Sequence, residues 1–443
     1  MRLLISHLML AVVLTACGFS QDSTTGQQQR SIPDSGYVLQ NVIIRGNELT
    51  KDFVIIREMS LKQGSRITEQ ALAYDRERIY SLGLFNRVEI WTAPTDSVNA
   101  DILVEVHERW YLFPYPILGI RDRDWSRLYY GVGLLHYNFR GRDEKLSCSL
   151  VLGYNPSVSL YYRNPFLDQA GTTFLEAQIA LNKVSNRSQQ FAPGESDYDE
   201  RHVSFGLTVG KRLGIENTFW LSAGYEIVDL SGHIPVRTLS PGGVDRYPIF
   251  GFGYTYDTRD LASYPAYGTL LAASVTTFGM PSDFVNYIRY AADARRYIPL
   301  PGNLVLTGRI FTNLVAAGPL PAYNHVYFGY SERIRGHFKE ILEGENIFGM
   351  SSEFHVPIVP ARFFTVGFLP SAFSVWKFAL IGTVFGDAGT TWYRGEPLAV
   401  DQLVKGYGCG LNVLLAYDAV LRFEYAWNEH RQGQFILDAG TSF

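Results

Sequence analysis

Residues whose types and spacing could do chemistry are scarce in this chain. Its 443 residues include three cysteines and nine histidines. The sequence contains no His-Glu-x-x-His motif, no Gly-x-Ser-x-Gly motif and no phosphate-binding loop. The histidines and cysteines also form no close cluster with the spacing of metal ligands. We therefore expect that the protein is not an enzyme and that it uses neither a cofactor nor a metal.

Cys17 is the cysteine with the clearest chemical context. It follows a basic first dipeptide, an apolar stretch from Leu3 to Val13 and the tripeptide Leu14-Thr15-Ala16, which together have the pattern of a secretory signal. The four residues ending in Cys17 are also similar to a bacterial lipobox, in which the cysteine thiol is acylated. The alternative is an ordinary signal peptide cut near Ala16. We predict a signal peptide with a lipobox over residues 1–17.

The composition is typical of a strand-rich chain that contacts lipid. Aromatic residues make up 14% of the chain and charged residues 19%, whereas about a quarter of an average globular chain is charged. After the first residues, no apolar run approaches the roughly 20 residues of a membrane-spanning helix, so membrane insertion could occur only as a closed β-barrel. The net charge of −4 provides no basic surface for phosphates, and we expect no nucleic-acid partner.

One compact α+β pattern occupies residues 36–109, after a linker at residues 18–35 whose Gln, Ser, Thr and Gly content predicts flexibility. A first strand ends at the turn pair Gly46-Asn47, and Thr50 is placed to cap the first of two helices. Two further strands give the order β-α-α-β-β. The alternative is a generic small domain in which Gly46-Asn47 is only a turn.

Short alternating segments separated by turn residues fill residues 110–443. In Leu421–Trp427, apolar and aromatic side chains fall on one side of the strand, and Arg422 and Glu424 fall on the other. A soluble β-sandwich would also alternate, with its charged face outward and its apolar face inward. Here the charged side brings opposite signs together, which is typical of a wet barrel lumen. We predict a transmembrane β-barrel, for which the length admits about 12 to 18 strands.

Several segments of the chain match a known pattern: Val42–Asn47, Leu82–Phe85, Ala100–Arg109, Tyr256–Asp260 and Arg333–His337. They resemble motifs of the BamA/TamA-type superfamily of outer-membrane protein assembly and translocation factors. In that superfamily a periplasmic POTRA domain precedes a bacterial surface antigen β-barrel. The resemblance covers the chain after Tyr37. It implies a membrane all-β fold, with a 16-stranded transmembrane β-barrel preceded by one α+β POTRA-like domain.

The most specific of these motifs is Asp257-Thr258-Arg259-Asp260, which Gly268 follows. The resemblance implies that this phrase ends one barrel strand and that Gly268 begins the next after a turn. From the residues alone, the segment is a charged turn in which Arg259 bridges its neighbours. The two interpretations are compatible.

A second motif lies in a long loop from about Gly318 to Asn346. The resemblance implies that Arg335 folds back into the lumen and pairs with acidic residues on the inner strand faces, for which Glu353 and Asp387 are the candidates. A guanidinium suits such a bidentate clamp, and Gly336 permits close backbone approach. The chain departs from the superfamily at His337, where Phe or Tyr is usual. The alternative is that Arg335 is a solvated loop residue.

The first predicted barrel strand contains Pro114 and Pro116, which lack the backbone N–H that a sheet needs. Their equal parity removes donors from one edge, which faces either the second strand or, in a closed barrel, the last strand. That last strand is predicted as Gln434–Phe443, and Gly440 loosens it. We hypothesise a weak lateral seam through which client strands enter the membrane, where the resemblance also points. The terminal Phe443 fits the signal read by barrel-assembly machinery.

The function implied by the resemblance is insertion, assembly or translocation of proteins at the outer membrane. The POTRA-like domain would receive a client in the periplasm by adding a strand to its sheet edge. The expected partners are outer-membrane lipid, unfolded or extended client proteins and accessory assembly proteins. Two alternatives are a dedicated secretion pore for a partner protein and a passive channel or structural barrel.

Overall fold

The computed structural model describes residues 36–121, 125–168, 171–185, 188, 199–214, 216–230, 237–260, 264–338, 340–365, 375–398, 400–415 and 419–440. The predicted signal peptide, the linker, Cys17 and Phe443 lie outside the described residues. Within the described part of the chain, no helix has the length and apolar character needed to cross a membrane.

The N-terminal domain has the predicted order β-α-α-β-β. Its elements are β1 (Val38–Arg45), α1 (Asp52–Ile56), α2 (Glu69–Ser81), β2 (Phe85–Pro94) and β3 (Asn99–Glu108). The sheet order is β1-β3-β2, with β1 parallel and β2 antiparallel to the central strand. One core of buried apolar side chains joins the helices to the sheet, and it includes Ile55, Ile79, Leu84, Ile102 and Val104. This α+β arrangement is the one that the sequence predicts.

The rest of the chain forms one sheet of sixteen antiparallel strands, the predicted number. Its strands are β4 (Leu112–Ile120), β5 (Leu128–Phe139), β6 (Glu144–Gly153), β7 (Ser157–Asn164), β8 (Thr173–Ser185), β9 (Asp199–Leu213), β10 (Asn217–Leu230), β11 (Val244–Asp257), β12 (Gly268–Phe278), β13 (Tyr287–Leu300), β14 (Leu304–Ala317), β17 (Asn346–Thr365), β18 (Val375–Trp392), β19 (Val404–Leu414), β20 (Val420–Asn428) and β21 (Gly433–Ala439). Each strand pairs with the next in the chain. Among the described residues, no pairing joins β4 to β21.

A long loop separates β14 from β17 and carries a small hairpin of its own, formed by β15 (Val326–Phe328) and β16 (Leu342–Gly344). We call residues Glu332–Phe338 the loop tip. The chain between β14 and β17 therefore has secondary structure of its own.

The two faces of the sheet differ in polarity because side chains alternate along each strand. On β9, for example, four alternate apolar side chains are exposed: Val203, Phe205, Leu207 and Val209. The other face, here called the inner face, carries buried charged residues such as Glu353, Asp387 and Glu424. An exposed apolar face opposite a charged inner face is typical of strands that contact lipid on one side and a polar lumen on the other.

Candidate functional site

Arg335, in the loop tip, is buried against the inner face with 5% of its surface exposed. Its guanidinium makes a bidentate contact with Asp387 of β18, through Nε at 2.7 Å and Nη2 at 2.8 Å. The backbone N–H of Arg335 also donates to Asp387, at 3.1 Å. The fork of the guanidinium thus matches the two carboxylate oxygens, while the backbone fixes the loop relative to the strand.

Two further carboxylates reach the same guanidinium. Nη1 of Arg335 lies 2.9 Å from Glu353 on β17 and 3.0 Å from Glu424 on β20. The guanidinium also stacks on the Phe385 ring, 3.5 Å from its centroid. The structure therefore brings together Arg335 and both candidate acids, and it adds Glu424. The sequence carried a signal for Glu424, because it shares a strand face with Arg422, whose own guanidinium lies 3.3 Å from it.

The backbone around Arg335 approaches the strands so closely that only glycine fits. Gly336 has a φ of +99°, and a Cβ there would lie 2.6 Å from the carbonyl oxygen of Trp427 on β20. Gly406 of β19 faces the carbonyl oxygen of Arg335, and a Cβ there would overlap it. The loop tip is held by shape as well as by charge.

His337 follows Gly336 and lies between two carboxylates. Its Nδ1 is 2.8 Å from Glu340 of the same loop, and its Nε2 is 2.6 Å from Glu429 in the turn between β20 and β21. The residue at which the chain departs from the motif it resembles therefore forms a polar bridge to the last hairpin. Sequence reasoning named neither carboxylate as a partner.

A second ion pair of opposite polarity holds the start of the loop tip. The Glu332 carboxylate accepts hydrogen bonds from Arg309 of β14 at 2.9 and 3.1 Å. Arg309 in turn contacts Asp293 of β13 at 2.8 Å, and Asp293 also binds Arg295. The loop tip thus presents an anion to a cationic part of the inner face and a cation to an acidic part.

The described residues of the Asp257–Gly268 motif lie at the end of β11, directly after it and at the start of β12. The Arg259 guanidinium donates to both carboxylate oxygens of Asp257, at 2.9 and 2.8 Å. Asp260 accepts the backbone N–H of Ala266 at 2.9 Å. Gly268 begins β12 with a φ of +112°. The structure therefore places Arg259 and Asp260 directly after β11, where Arg259 binds the last residue of that strand, and it places Gly268 at the start of the next.

The N-terminal domain is joined to the large sheet by buried hydrogen bonds of Thr50. Within the domain, the Glu108 carboxylate holds this segment by accepting the backbone N–H groups of Leu49 and Thr50. The Thr50 hydroxyl lies 2.9 Å from the Tyr111 hydroxyl and accepts a bond from the Asn138 amide at 2.8 Å. The sequence predicts that Thr50 caps α1, and this prediction is wrong. The N-cap residue is Lys51, whose side chain makes no capping hydrogen bond. The Thr50 hydroxyl instead bonds to Tyr111 and Asn138 at the junction.

The turn pair Gly46-Asn47 shapes this junction. Gly46 has a φ of +82°, and a Cβ there would overlap the carbonyl oxygen of Val106 on β3. The Asn47 amide donates to the carbonyl oxygen of Thr50 at 2.9 Å. Next to it, the Lys51 N–H donates to Gly141 in the β5–β6 turn at 2.9 Å. The pair thus fixes the backbone of the segment whose next residues, Thr50 and Lys51, contact the large sheet.

Two buried charged side chains also lie at the junction between the N-terminal domain and the large sheet, and both are outside the strands. Burial raises the pKa of the Asp143 carboxyl, in the β5–β6 turn, to about 6. Burial also lowers the pKa of the Arg57 guanidinium, which stacks on the Phe166 ring, to about 10. These opposite charges attract across the junction, so the two domains meet in a desolvated contact.

The phase of the β4–β5 hydrogen bonds decides where the two prolines point. The N–H of Tyr137 donates to the carbonyl oxygen of Tyr111, directly opposite in the β4–β5 register, at 2.9 Å. Residues of that parity bond to β5, so Pro114 and Pro116, of the other parity, direct their missing donors to the outer edge of β4. The last strand spans Gly433–Ala439, and Gly440 follows it with a φ of +100°; the remainder of the predicted strand, residues 441–443, lies outside the described residues.

Comparisons with known proteins agree with this architecture. The model of the Omp85 superfamily domain matches residues 138–443. The model of the POTRA domain, a surface antigen variable number repeat, matches residues 37–109. The resemblance found in the sequence is thus confirmed at the level of the family.

Two curated relatives are both outer membrane protein assembly factors named BamA. The protein from Nitratidesulfovibrio vulgaris is 23% identical over 315 residues, which cover 68% of this chain and 37% of the relative. The protein from Neorickettsia risticii is 26% identical over 242 residues, which cover 52% of this chain and 31% of the relative. The chain thus spans about a third of the length of the curated relatives it matches.

Two solved structures share the fold. BamA from Haemophilus ducreyi lacking POTRA domains 1–3 superposes with a TM-score of 0.55 at 18% identity, over 91% of this chain and 83% of that one. CdiB from Escherichia coli superposes with a TM-score of 0.57 at 12% identity, over 91% of this chain and 76% of that one.

Proposed function

The chain belongs to the Omp85 superfamily, and from this premise we propose that it inserts, assembles or translocates other proteins at the outer membrane. Proteins of this superfamily lie in the outer membrane with their POTRA domains in the periplasm. In the proposal, the sixteen strands close into a transmembrane barrel, the loop tip braces its lumen, and the seam between β4 and β21 opens sideways. Clients are unfolded or extended chains, and accessory assembly proteins act with it.

The observation that carries this proposal is an open strand edge in each domain. In the N-terminal domain, the segment Gly64–Ile67 bonds to the outer edge of β1, whereas no described segment pairs with the outer edge of β2. In the large sheet, the outer edge of β4 lacks the donors of two prolines. A client strand could add to the first edge by backbone hydrogen bonds and then pass to the second. Backbone pairing accepts varied client sequences.

Depletion of the protein, followed by a census of the outer-membrane proteome, tests the proposal. We expect many barrel proteins to decline together, because a factor that binds clients through backbone groups serves many sequences. Loss of a single exported protein would instead identify a dedicated secretion pore. An unchanged proteome would contradict the proposal and favour a passive channel.

A proline at Thr92 should test the β2 edge. The N–H of Thr95 donates to the opposite Asn99 of β3, so residues of even number on β2 direct their N–H groups outward. Thr92→Pro therefore removes an outward donor without breaking the sheet. One lost hydrogen bond is worth roughly 0.5–1.5 kcal/mol, so we expect client capture to fall several-fold.

The matched control for this edge is Thr92→Val, which changes the same side chain and keeps the backbone N–H. Capture is measured by photocrosslinking of clients to β2, and function by rescue of the proteome in depleted cells. Equal capture by the proline and valine variants would argue against strand addition at β2. Thr92→Pro is a milder change than deletion of the whole domain, because deletion would expose the side chains buried at the junction with the sheet.

A further inference from the structure

We propose that His337 is a positioning residue that ties the loop tip to the last β-hairpin only while its imidazole carries two protons. Both ring nitrogens face carboxylates, Glu340 at 2.8 Å and Glu429 at 2.6 Å. A carboxylate is only an acceptor, and a neutral imidazole has one donor. Both contacts are satisfied only by the imidazolium, so loss of one proton breaks the bridge on one side.

The residues around His337 connect this bridge to the last strand of the sheet. The side chain of His337 is 6% exposed. The next residue, Phe338, packs with Phe385 of β18, Ala426 of β20 and Ile436 of β21. The loop tip therefore contacts the strand that forms one side of the proposed seam. Release of the bridge to Glu429 loosens the turn that leads into this strand.

The groups around the bridge come from four elements: the loop, the β20–β21 turn, β19 and β18. Glu340 belongs to the loop itself, and Glu429 belongs to the β20–β21 turn. The Glu429 carboxylate also accepts the backbone N–H of Lys405 on β19, and His430 lies 4.0 Å from it. From β18, Asp387 is already held by Arg335. The balance at the imidazole is thus two carboxylates against one cation.

The sign of the pH response follows from this balance. Burial by itself lowers the pKa of His337, but the hydrogen bonds to Glu340 and Glu429 outweigh it, so the pKa lies above its ordinary value of 6.5. Stabilisation by the imidazolium is complete below that ordinary value and is lost as the pH rises through the raised pKa. Acidic conditions hold the hairpin, and alkaline conditions weaken this hold, because a neutral imidazole keeps at most one of the two hydrogen bonds and no positive charge.

Hydrogen exchange of the detergent-folded full chain tests the bridge at peptides covering residues 429–439, between pH 6 and pH 9. After correction for the intrinsic rate, we expect protection to fall by roughly tenfold as the pH rises, since a hydrogen bond to a charged group is lost. His337→Phe restores the residue usual in the superfamily, packs in the same place and should give protection that does not change with pH. His430→Asn is the matched control, because His430 is 74% exposed in the same turn, and it should retain the wild-type response.

A flat wild-type profile, or an unchanged slope in His337→Phe, would overturn the proposal. If His337→Phe does not fold, Glu429→Gln removes the same charge pair at nearly constant size and should also flatten the profile. The consequence at the seam rests on the proposed function, but the exchange measurement does not require activity. A pH response without any role in client assembly would therefore separate failure of the function from failure of the bridge.

Discussion

Replacing Arg335 with glutamate should prevent most of the protein from reaching its folded state. The guanidinium is buried and contacts Asp387, Glu353 and Glu424 at 3.0 Å or less. Breaking a buried ion pair by removing one partner costs about 3–5 kcal/mol, because the remaining charge stays desolvated. Charge reversal adds a fourth carboxylate to the cluster. The measurement is the folded fraction on semi-native gels, where a folded β-barrel migrates faster than its unfolded chain.

A matched control uses an arginine on the exposed side of the sheet. Arg246 on β11 is exposed, so Arg246→Glu should change the folded fraction little. Reversing an acid, as in Asp387→Arg, should partly restore folding of the Arg335→Glu variant, since one opposite-charge pair is re-formed. If Arg335→Ala folds normally and neither Asp387→Arg nor Glu353→Arg rescues the reversal, the clamp does not hold the loop.

A disulfide across the proposed seam should abolish client assembly while leaving the barrel folded. Leu118 of β4 and Leu437 of β21 are exposed on the outer face, at 62% and 46%. Cysteines at these positions would join the two strands whose separation the proposed function requires. The outer edge of β4 lacks two donors, each worth roughly 0.5–1.5 kcal/mol, so opening costs less here than between ordinary strands. We expect activity to return when the disulfide is reduced.

The control disulfide joins strands that are paired in the structure. Val132 of β5 lies opposite Leu150 of β6, and both side chains are exposed. A disulfide there should leave activity unchanged. Because Cys148 and Cys409 are both exposed, they are first replaced by alanine. Phe435, two residues before Leu437, provides a second position for the seam disulfide. Full activity with the seam disulfide quantitatively formed would contradict the lateral gate.

Several contacts of the site could not be predicted from the sequence, although the sequence analysis had identified the residues that make them. Glu424 was assigned to the charged face of its strand together with Arg422, yet nothing in the sequence related it to Arg335, 89 residues away. Thr50 has the type and position of a helix cap, and the junction with Tyr111 and Asn138 competes for its hydroxyl. In both cases a tertiary contact determines the partner, whereas propensity and spacing describe only the local chain.

The sequence by itself determined the alternation that separates an apolar outer face from a charged inner face, and the resemblance supplied the number of strands. It determined these because the side-chain period of two is intrinsic to an extended chain. Only the tertiary structure decided which acids surround Arg335, that Glu429 lies beside His337, and that the edge of β4 without donors faces away from β5. These depend on strand register and hydrogen-bond phase, and a shift of one residue would exchange the two faces of a strand.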